Sequence, residues 1–364
     1  MAANVPDPSR ILSIQSHVVS GYVGNRSATF PLQLLGWDVD VTNTVQFSNH
    51  TGYGRWGGLR FDAEHLQDIF DGLDKNGLLR YSRMLTGYMP SAAVVQTVLS
   101  LVKKLRAREG GEEGGLIYLL DPVMGDMGRG MYVAPEVLPI YQEMLQYSTI
   151  ITPNQFEAQA LTGIDIVDLV SLKKVILTLH KKHKVPHVII TSVELPDADL
   201  AAIGAQKTLA DGRPAMLQVG SSCEIHLEAG ERQEPNLEEE NLQVWSIQFP
   251  EVQGYFSGVG DMFAALTLGR FHREGQMASQ ANGATKDLTP IAKASELAIA
   301  SLQGILSNTC KVIDQIEKDL PDSTGKDEAQ EKVDRMRRRE LRVVQSKKEI
   351  ESPMIVYRAR WIGS

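Results

Sequence analysis

Cysteine is scarce: Cys223 and Cys310 are the only two in 364 residues. Two thiols cannot build a disulfide framework or a Cys-x-x-Cys metal site, so the chain fits a reducing compartment. Long apolar runs are missing too. No segment approaches the roughly 18 apolar residues that cross a bilayer, and the opening MAANVPDPSR has neither the basic start nor the apolar stretch of a secretory leader. The expected address is cytoplasmic, with nothing to set cytosol apart from nucleus, and no membrane partner is expected. Nor is there a basic excess. With 37 Lys and Arg against 45 Asp and Glu the formal charge is −8, which argues against a general nucleic-acid binder while leaving room for a local basic pocket. Two nucleotide motifs are absent as well: no Gly-rich segment ends in Gly-Lys-Ser/Thr, and GYVGN lacks the glycine spacing of the dinucleotide fingerprint.

What is present is enough for a large folded core, since 43% of the residues are hydrophobic. RILSIQ and WDVDVTNTV read as strands, with a helix over Ala28–Leu35 between them. Asp62–Leu73 and Ser91–Arg108 carry helical periodicity, and YSRMLTGY ends a short strand. GGLIYLLDP has the continuous apolar run of a strand covered on both faces. STIITPNQFEAQALTG and LVSLKKVILTLHKKHKVPHVIITS repeat the alternation of strand and helix. The expected fold is therefore α/β with a mostly parallel central sheet. No Pro/Gly/Ser-rich linker divides it, so residues 10–364 form one domain.

Beyond Ser192 shorter strands are expected near AMLQVG, CEIHL and LQVWSIQF. The acidic stretch around 228–241 reads as a solvated or mobile loop, and 321–335 as a second flexible insertion. From Gly258 the chain is helical through about Asp319 with a break near Leu288–Pro290. EKVDRMRRRELRVVQ reads as a solvated helix face or as a basic segment facing phosphate or a partner, and EIESPMIVYRARW offers a closing edge strand.

Polar clusters fall where strands end. In FSGVGDMFAAL, Gly258 and Gly260 precede Asp261 at the start of a helix, where exposed amides and the helix field attract an anion. A carboxylate there can take a proton from a hydroxyl while the amides hold phosphoryl oxygens, or it can simply cap the helix. LLDPVMGD ends a buried strand in Asp121 and presents Asp126, either as oxygen ligands for Mg²⁺ or as loop caps. Thr152, Asn154 and Glu157 in ITPNQFEA can meet a phosphate and its metal, or cap the next helix. Ser16 and His17 follow the first strand; Ser48, Asn49, His50 and Thr51 follow the second. The two histidines lack metal-ligand spacing and can equally be structural. The four strand-end clusters, beside the glycine turn at Asp261, point to a small alcohol, sugar or vitamin phosphorylated by a nucleotide.

The ordered set LSIQSHVVSGYVGNRSATFPLQLLG, VQFSNHTGYG, LTGY, DPVMGD, ITPNQFEA, VIITS and GVGDMFAALTLG closely resembles the pyridoxal kinases, vitamin B6 kinases of the ribokinase-like superfamily. The resemblance implies a three-layer α/β/α fold, usually as a homodimer, that moves the γ-phosphoryl of ATP to the 5'-hydroxyl of pyridoxal, pyridoxine or pyridoxamine. It also implies Mg²⁺ or a similar divalent ion and K⁺ or a similar monovalent one. By the same resemblance Asp261 is the base, and Ser16, Val23, Phe47, Thr51 and Tyr88 meet the acceptor. Asp121, Thr152 and Glu157 belong to the cation environment. Asp126 and Asn154 lie around the phosphates, Thr191 and Ser192 on the nucleotide side with Phe256, and Tyr132 resembles a lid residue. The amides of Gly258, Val259 and Gly260 complete the anion hole. The family commonly has Gly-Thr-Gly-Asp, so Val259 removes a hydroxyl, and retained activity with altered nucleotide affinity is expected. A hydroxymethylpyrimidine or sugar kinase, or a non-catalytic B6 or nucleotide sensor, are the alternatives.

Overall fold

The computed structural model describes residues 7–108, 115–228, 231–272, 288–318 and 327–362. β1 (Asp7–Val18) leads into α1 (Asn25–Leu34), β2 (Asp38–Phe47), a 3-10 turn at Thr51–Tyr53, β3 (Gly58–Arg60) and α2 (Ala63–Lys75). β4 (Tyr81–Thr86), α3 (Ala92–Arg108) and β5 (Ile117–Leu120) follow, then a small hairpin of β6 (Gly125–Asp126) and β7 (Gly130–Met131). α4 (Val137–Leu145), β8 (Ile150–Ile151), α5 (Gln155–Thr162), α6 (Leu169–Lys181) and β9 (His187–Ile190) continue the alternation. Next come α7 (Asp197–Ala202), β10 (Ala215–Ser222), β11 (Leu227–Glu228), β12 (Glu231–Arg232) and β13 (Val244–Pro250). The chain closes with α8 (Val259–Arg270), α9 (Pro290–Lys318), α10 (Glu328–Arg338), a 3-10 turn at Val344–Ser346, α11 (Lys347–Glu351) and β14 (Arg360–Trp361).

Ten strands form one sheet in the order β14-β13-β10-β9-β8-β5-β4-β1-β2-β3. The six strands from β9 to β2 run parallel. Both flanks are antiparallel: β3 on one side and β10, β13 and β14 on the other. The sheet is thus mixed around a parallel centre. β5 shows why helices must cover both faces. Its four residues are all buried and alternate sides, Tyr118 and Leu120 packing with α3, α4 and α6 while Ile117 and Leu119 pack with α1, α8 and α9. The result is a three-layer α/β/α fold.

Several expectations need adjustment. α1 begins at Asn25 rather than Ala28, because Asn25 is a buried tie: its amide donates to Gln15 O, Thr42 O and Asn43 Oδ1 and its oxygen accepts from Ser13 Oγ. CEIHL forms a strand only from Leu227, where β11 pairs briefly with β12. The acidic stretch is pinned to the body where Arg232 donates to Ser148 O and Lys184 O and Lys181 pairs with Glu238 at 2.8 Å. The break expected near Leu288 falls just before α9, and residues 273–287, like 321–326 of the second insertion, lie outside the described residues. α10 is mostly solvated but buries Asp334 and Met336. β14 is the expected edge strand, two residues long. Among the described residues no helix is long and apolar enough to cross a membrane.

Candidate active site

α8 is apolar and buried from Met262 to Gly269, so packing threads it through the core and leaves its N-terminus at the sheet edge. Its N-cap is Gly258, at φ 80, with no side-chain cap. A Cβ on Gly258 would lie 1.9 Å from Tyr22 O and 2.5 Å from Ser27 Oγ, so only glycine lets this turn seat against the loop after β1. Asp261 does not cap the helix. Its Oδ2 accepts the backbone N–H of Gly24 at 2.8 Å, which fixes the carboxylate beside the first amides of α8, donors with no acceptor inside the helix. Gly24 in turn sits at φ 51, with Ser16 O 2.1 Å from where its Cβ would be, so Ser16 is directly behind the residue that holds Asp261.

The parallel strands β5 and β8 deliver the other carboxylates. Asp121 follows β5 and is buried. Glu157, on the first turn of α5, accepts from Met124 N at 2.8 Å and Asn154 N at 2.9 Å, and Asn154 Oδ1 accepts Glu157 N in return. This capping box is the structural role anticipated for Asn154 and Glu157, and it also ties the loop after β5 to the start of α5. Asn154 Nδ2 donates to Gly125 O and reaches Asp126 Oδ1 at 3.4 Å, bringing the β6–β7 hairpin into the same cluster.

These groups share one electrostatic environment. Burial, then the charges of Glu157 and Asp261, push the Asp121 carboxyl well above the ordinary range, with nearby Thr152 pulling the other way. Glu157 is pushed up to about 8 by burial against the pull of its backbone donors. Burial also raises Asp261, opposed by the Gly24 N–H. Tyr132, half exposed beyond β7, has its hydroxyl raised by burial and then by Glu157, Asp126, Asp121 and Asp261 together. The lid candidate therefore lies within the field of all four carboxylates.

On the acceptor side Val23 and Tyr88 pack against Phe47, Val18 and Val45, so three of the residues expected to meet the acceptor form one apolar cluster. Thr51 is exposed at the start of its 3-10 turn. On the nucleotide side Thr191 N donates to Pro153 O at 2.9 Å, which places the end of β9 beside the end of β8, with Ser192 half-buried next to it. Phe256 and Val259 pack against the core around α8.

Glu340 escaped the sequence reading. It accepts from Tyr22 N at 3.1 Å and Tyr53 Oη at 2.9 Å and lies 3.2 Å from His50 Nε2. His50 Nδ1 in turn meets Ser257 Oγ at 3.2 Å, so this histidine ties the second strand-end loop to the turn before Gly258. Nothing local announces Glu340, which lies in a charged run 318 positions from Tyr22.

The residues present fit the implied cations in one specific way. Among the described residues no three His, Cys, Asp or Glu form a ready metal cage. Instead Asp121 is crowded by like charges, and the buried Thr152 Oγ1 makes no close hydrogen bond beyond its weak pull on Asp121. Hard oxygen donors and a weakly partnered hydroxyl suit an ion that brings phosphate oxygens and water as its remaining ligands.

Comparison with known proteins agrees with this geometry. The phosphomethylpyrimidine kinase profile matches residues 79–216, a span that holds Asp121 through Ser192 but reaches neither Ser16 nor Asp261. Bovine (Bos taurus) pyridoxal kinase is 37% identical over 96% of this chain and 97% of its own. The pyridoxal kinase of Arabidopsis thaliana is 35% identical over 97% and 94%. The solved structure of Leishmania donovani pyridoxal kinase with ADP and pyridoxine superposes with a TM-score of 0.72 at 30% identity, covering 98% of this chain and 100% of that one. With both ends of the site and nearly the whole length matched, the chain belongs to the pyridoxal kinase family.

Proposed function

We propose that this chain transfers the γ-phosphoryl group of ATP to the 5'-hydroxyl of pyridoxal, pyridoxine or pyridoxamine. The observation that carries the reading is Asp261, anchored by Gly24 at the open mouth of α8. Its second carboxylate oxygen is free to accept the hydroxyl proton. The alkoxide oxygen then forms a bond to the γ-phosphorus while the bond to the bridging oxygen breaks, leaving ADP, and the first amides of α8 stabilise the transferring oxygens. Because burial raises the Asp261 carboxyl, it is a stronger base than an exposed aspartate.

Val23, Phe47 and Tyr88 supply an apolar wall for the pyridine ring, with Ser16 and Thr51 as polar contacts. Asp126, Asn154, Thr191, Ser192 and Phe256 surround the nucleotide, and Tyr132 closes over it to exclude water. A divalent ion, with a monovalent one assisting, would be held near Asp121, Thr152 and Glu157 and would offset phosphate charge. A homodimer and a cytoplasmic address are part of the same proposal.

The test is ATP-dependent turnover with the three vitamers, hydroxymethylpyrimidine and ribose side by side. Vitamer preference is expected. Preference for hydroxymethylpyrimidine, the reading that the 79–216 match alone would favour, or for ribose would overturn the assignment, and binding without ATP consumption would mark a sensor. Light scattering on the purified protein tests the dimer.

A further inference from the structure

Glu340 sits on the short segment after α10, far in sequence from every strand-end loop. Its side chain is only 13% exposed and both of its oxygens are occupied. Oε2 takes the backbone N–H of Tyr22, in the loop that carries Val23 and Gly24. Oε1 takes the Tyr53 hydroxyl and faces His50 Nε2, both in the loop that carries Thr51. The fit around it is close. A Cβ on Gly21 would fall 2.4 Å from Oε1, and the His50 and Tyr53 rings lie 4.8 Å apart beside it. Through His50 Nδ1 and Ser257 Oγ the same contact set reaches the turn that begins α8.

A carboxylate is well suited to this junction, since it offers acceptors in several directions to a backbone N–H, a phenol and an imidazole N–H at once. The groups it gathers are the acceptor-side ones. Gly24, two residues past Tyr22, holds Asp261, and Val23 belongs to the apolar wall. None of the nucleotide-side groups, Asn154, Glu157 or Thr191, bonds to it. We propose that Glu340 is a positioning residue for the acceptor alcohol, clamping the loops after β1 and β2 to each other and to the Ser257–Asp261 turn.

This rests on the kinase reading, and the experiment separates the two. Glu340→Ala and Glu340→Gln are assayed as full-length protein with pyridoxal and ATP varied independently, alongside thermal melting. Glu340→Ala is expected to raise KM for pyridoxal about tenfold or more and to lower kcat several-fold, with KM for ATP within about twofold of the parent. Glu340→Gln should recover part of the loss, because its one amide oxygen can still accept from Tyr22 N–H while its NH2 can donate to the Tyr53 hydroxyl oxygen. Tyr53→Phe, which removes one donor and keeps the ring, should raise pyridoxal KM by a smaller factor even if the alanine variant does not fold. An unchanged pyridoxal KM in Glu340→Ala or, should that protein not fold, in Tyr53→Phe would overturn the proposal. So would an equal rise in both KM values that merely follows the loss of Tm. Failure of the parent protein to phosphorylate any vitamer would instead sink the kinase reading beneath it.

Discussion

Gly24 donates its backbone N–H to Oδ2 of Asp261 at 2.8 Å, across 237 positions of sequence. The bond fixes which carboxylate oxygen is spent on architecture and which is left for chemistry. Asp261→Asn keeps an acceptor for Gly24 and nearly the same shape, but loses the proton acceptor. Turnover with pyridoxal should fall by about 10²- to 10⁴-fold, with ATP binding and Tm close to the parent's. Near-normal turnover in the purified variant would reject Asp261 as the base.

Thr152 offers a cleaner separation of stability from function. Its Oγ1 is buried and makes no close hydrogen bond, its one electrostatic partner being the Asp121 carboxyl, on which it exerts a weak pull. Thr152→Val replaces the hydroxyl with a methyl of similar shape, and because the contact it gives up is weak the apoprotein should melt close to the parent's temperature. If the hydroxyl serves a cation, the ion concentration giving half-maximal activity should rise about tenfold, the value of one contact to a charged group. Titrating divalent and monovalent ions separately shows which is affected, and an unchanged requirement for both would remove Thr152 from the cation environment.

The parallel centre of the fold was legible because a strand covered on both faces must be apolar along its whole length, as Leu116–Leu120 is. The strand ends place Asp121 and Thr152 on one edge by sequence pattern alone, with Asp261 at the helix start expected beside them. Motif order, rather than periodicity, identified Val23, Phe47 and Tyr88, whose packing together is a three-dimensional fact. Antiparallel β10 and β13 were visible as strands, but their direction was not, since pairing direction depends on connections that sequence pattern does not encode. Whether Asp261 capped its helix or faced away was likewise open until Gly24 appeared as its donor. Glu340 could not be found at all: a single carboxylate in a charged helix run looks solvated, and its partners lie on loops some 300 residues upstream.

Val259 is half-buried against the core in the turn proposed to hold the phosphoryl oxygens, and it offers no hydroxyl there. Backbone amides alone can hold phosphoryl oxygens, so activity does not require a side chain there. Val259→Thr should add a polar contact worth about 0.5–1.5 kcal/mol, lowering KM for ATP a few-fold while leaving KM for pyridoxal unchanged. Steady-state kinetics with each substrate varied in turn checks this. A rise in ATP KM would mean that the new hydroxyl faces the core rather than the nucleotide.

Proton uptake and release provide the last test. Glu157 is held at about 8 against an ordinary value of 4.5, and Asp121 is also raised, so the folded apoprotein keeps protons that the unfolded chain has already lost. The stability this contributes is fully present below the unfolded value and is lost as pH rises through about 8. A cation bound beside these carboxyls favours their charged forms and expels protons, more than offsetting the opposite pull of the nucleotide phosphates. At pH 7, inside that window, binding of the magnesium–nucleotide complex should release about one proton. Calorimetry in two buffers of different ionisation enthalpy measures the release directly. Identical binding enthalpies in the two buffers would mean that no carboxyl changes its charge, and the acidic cluster would then have to bind its ligands already ionised.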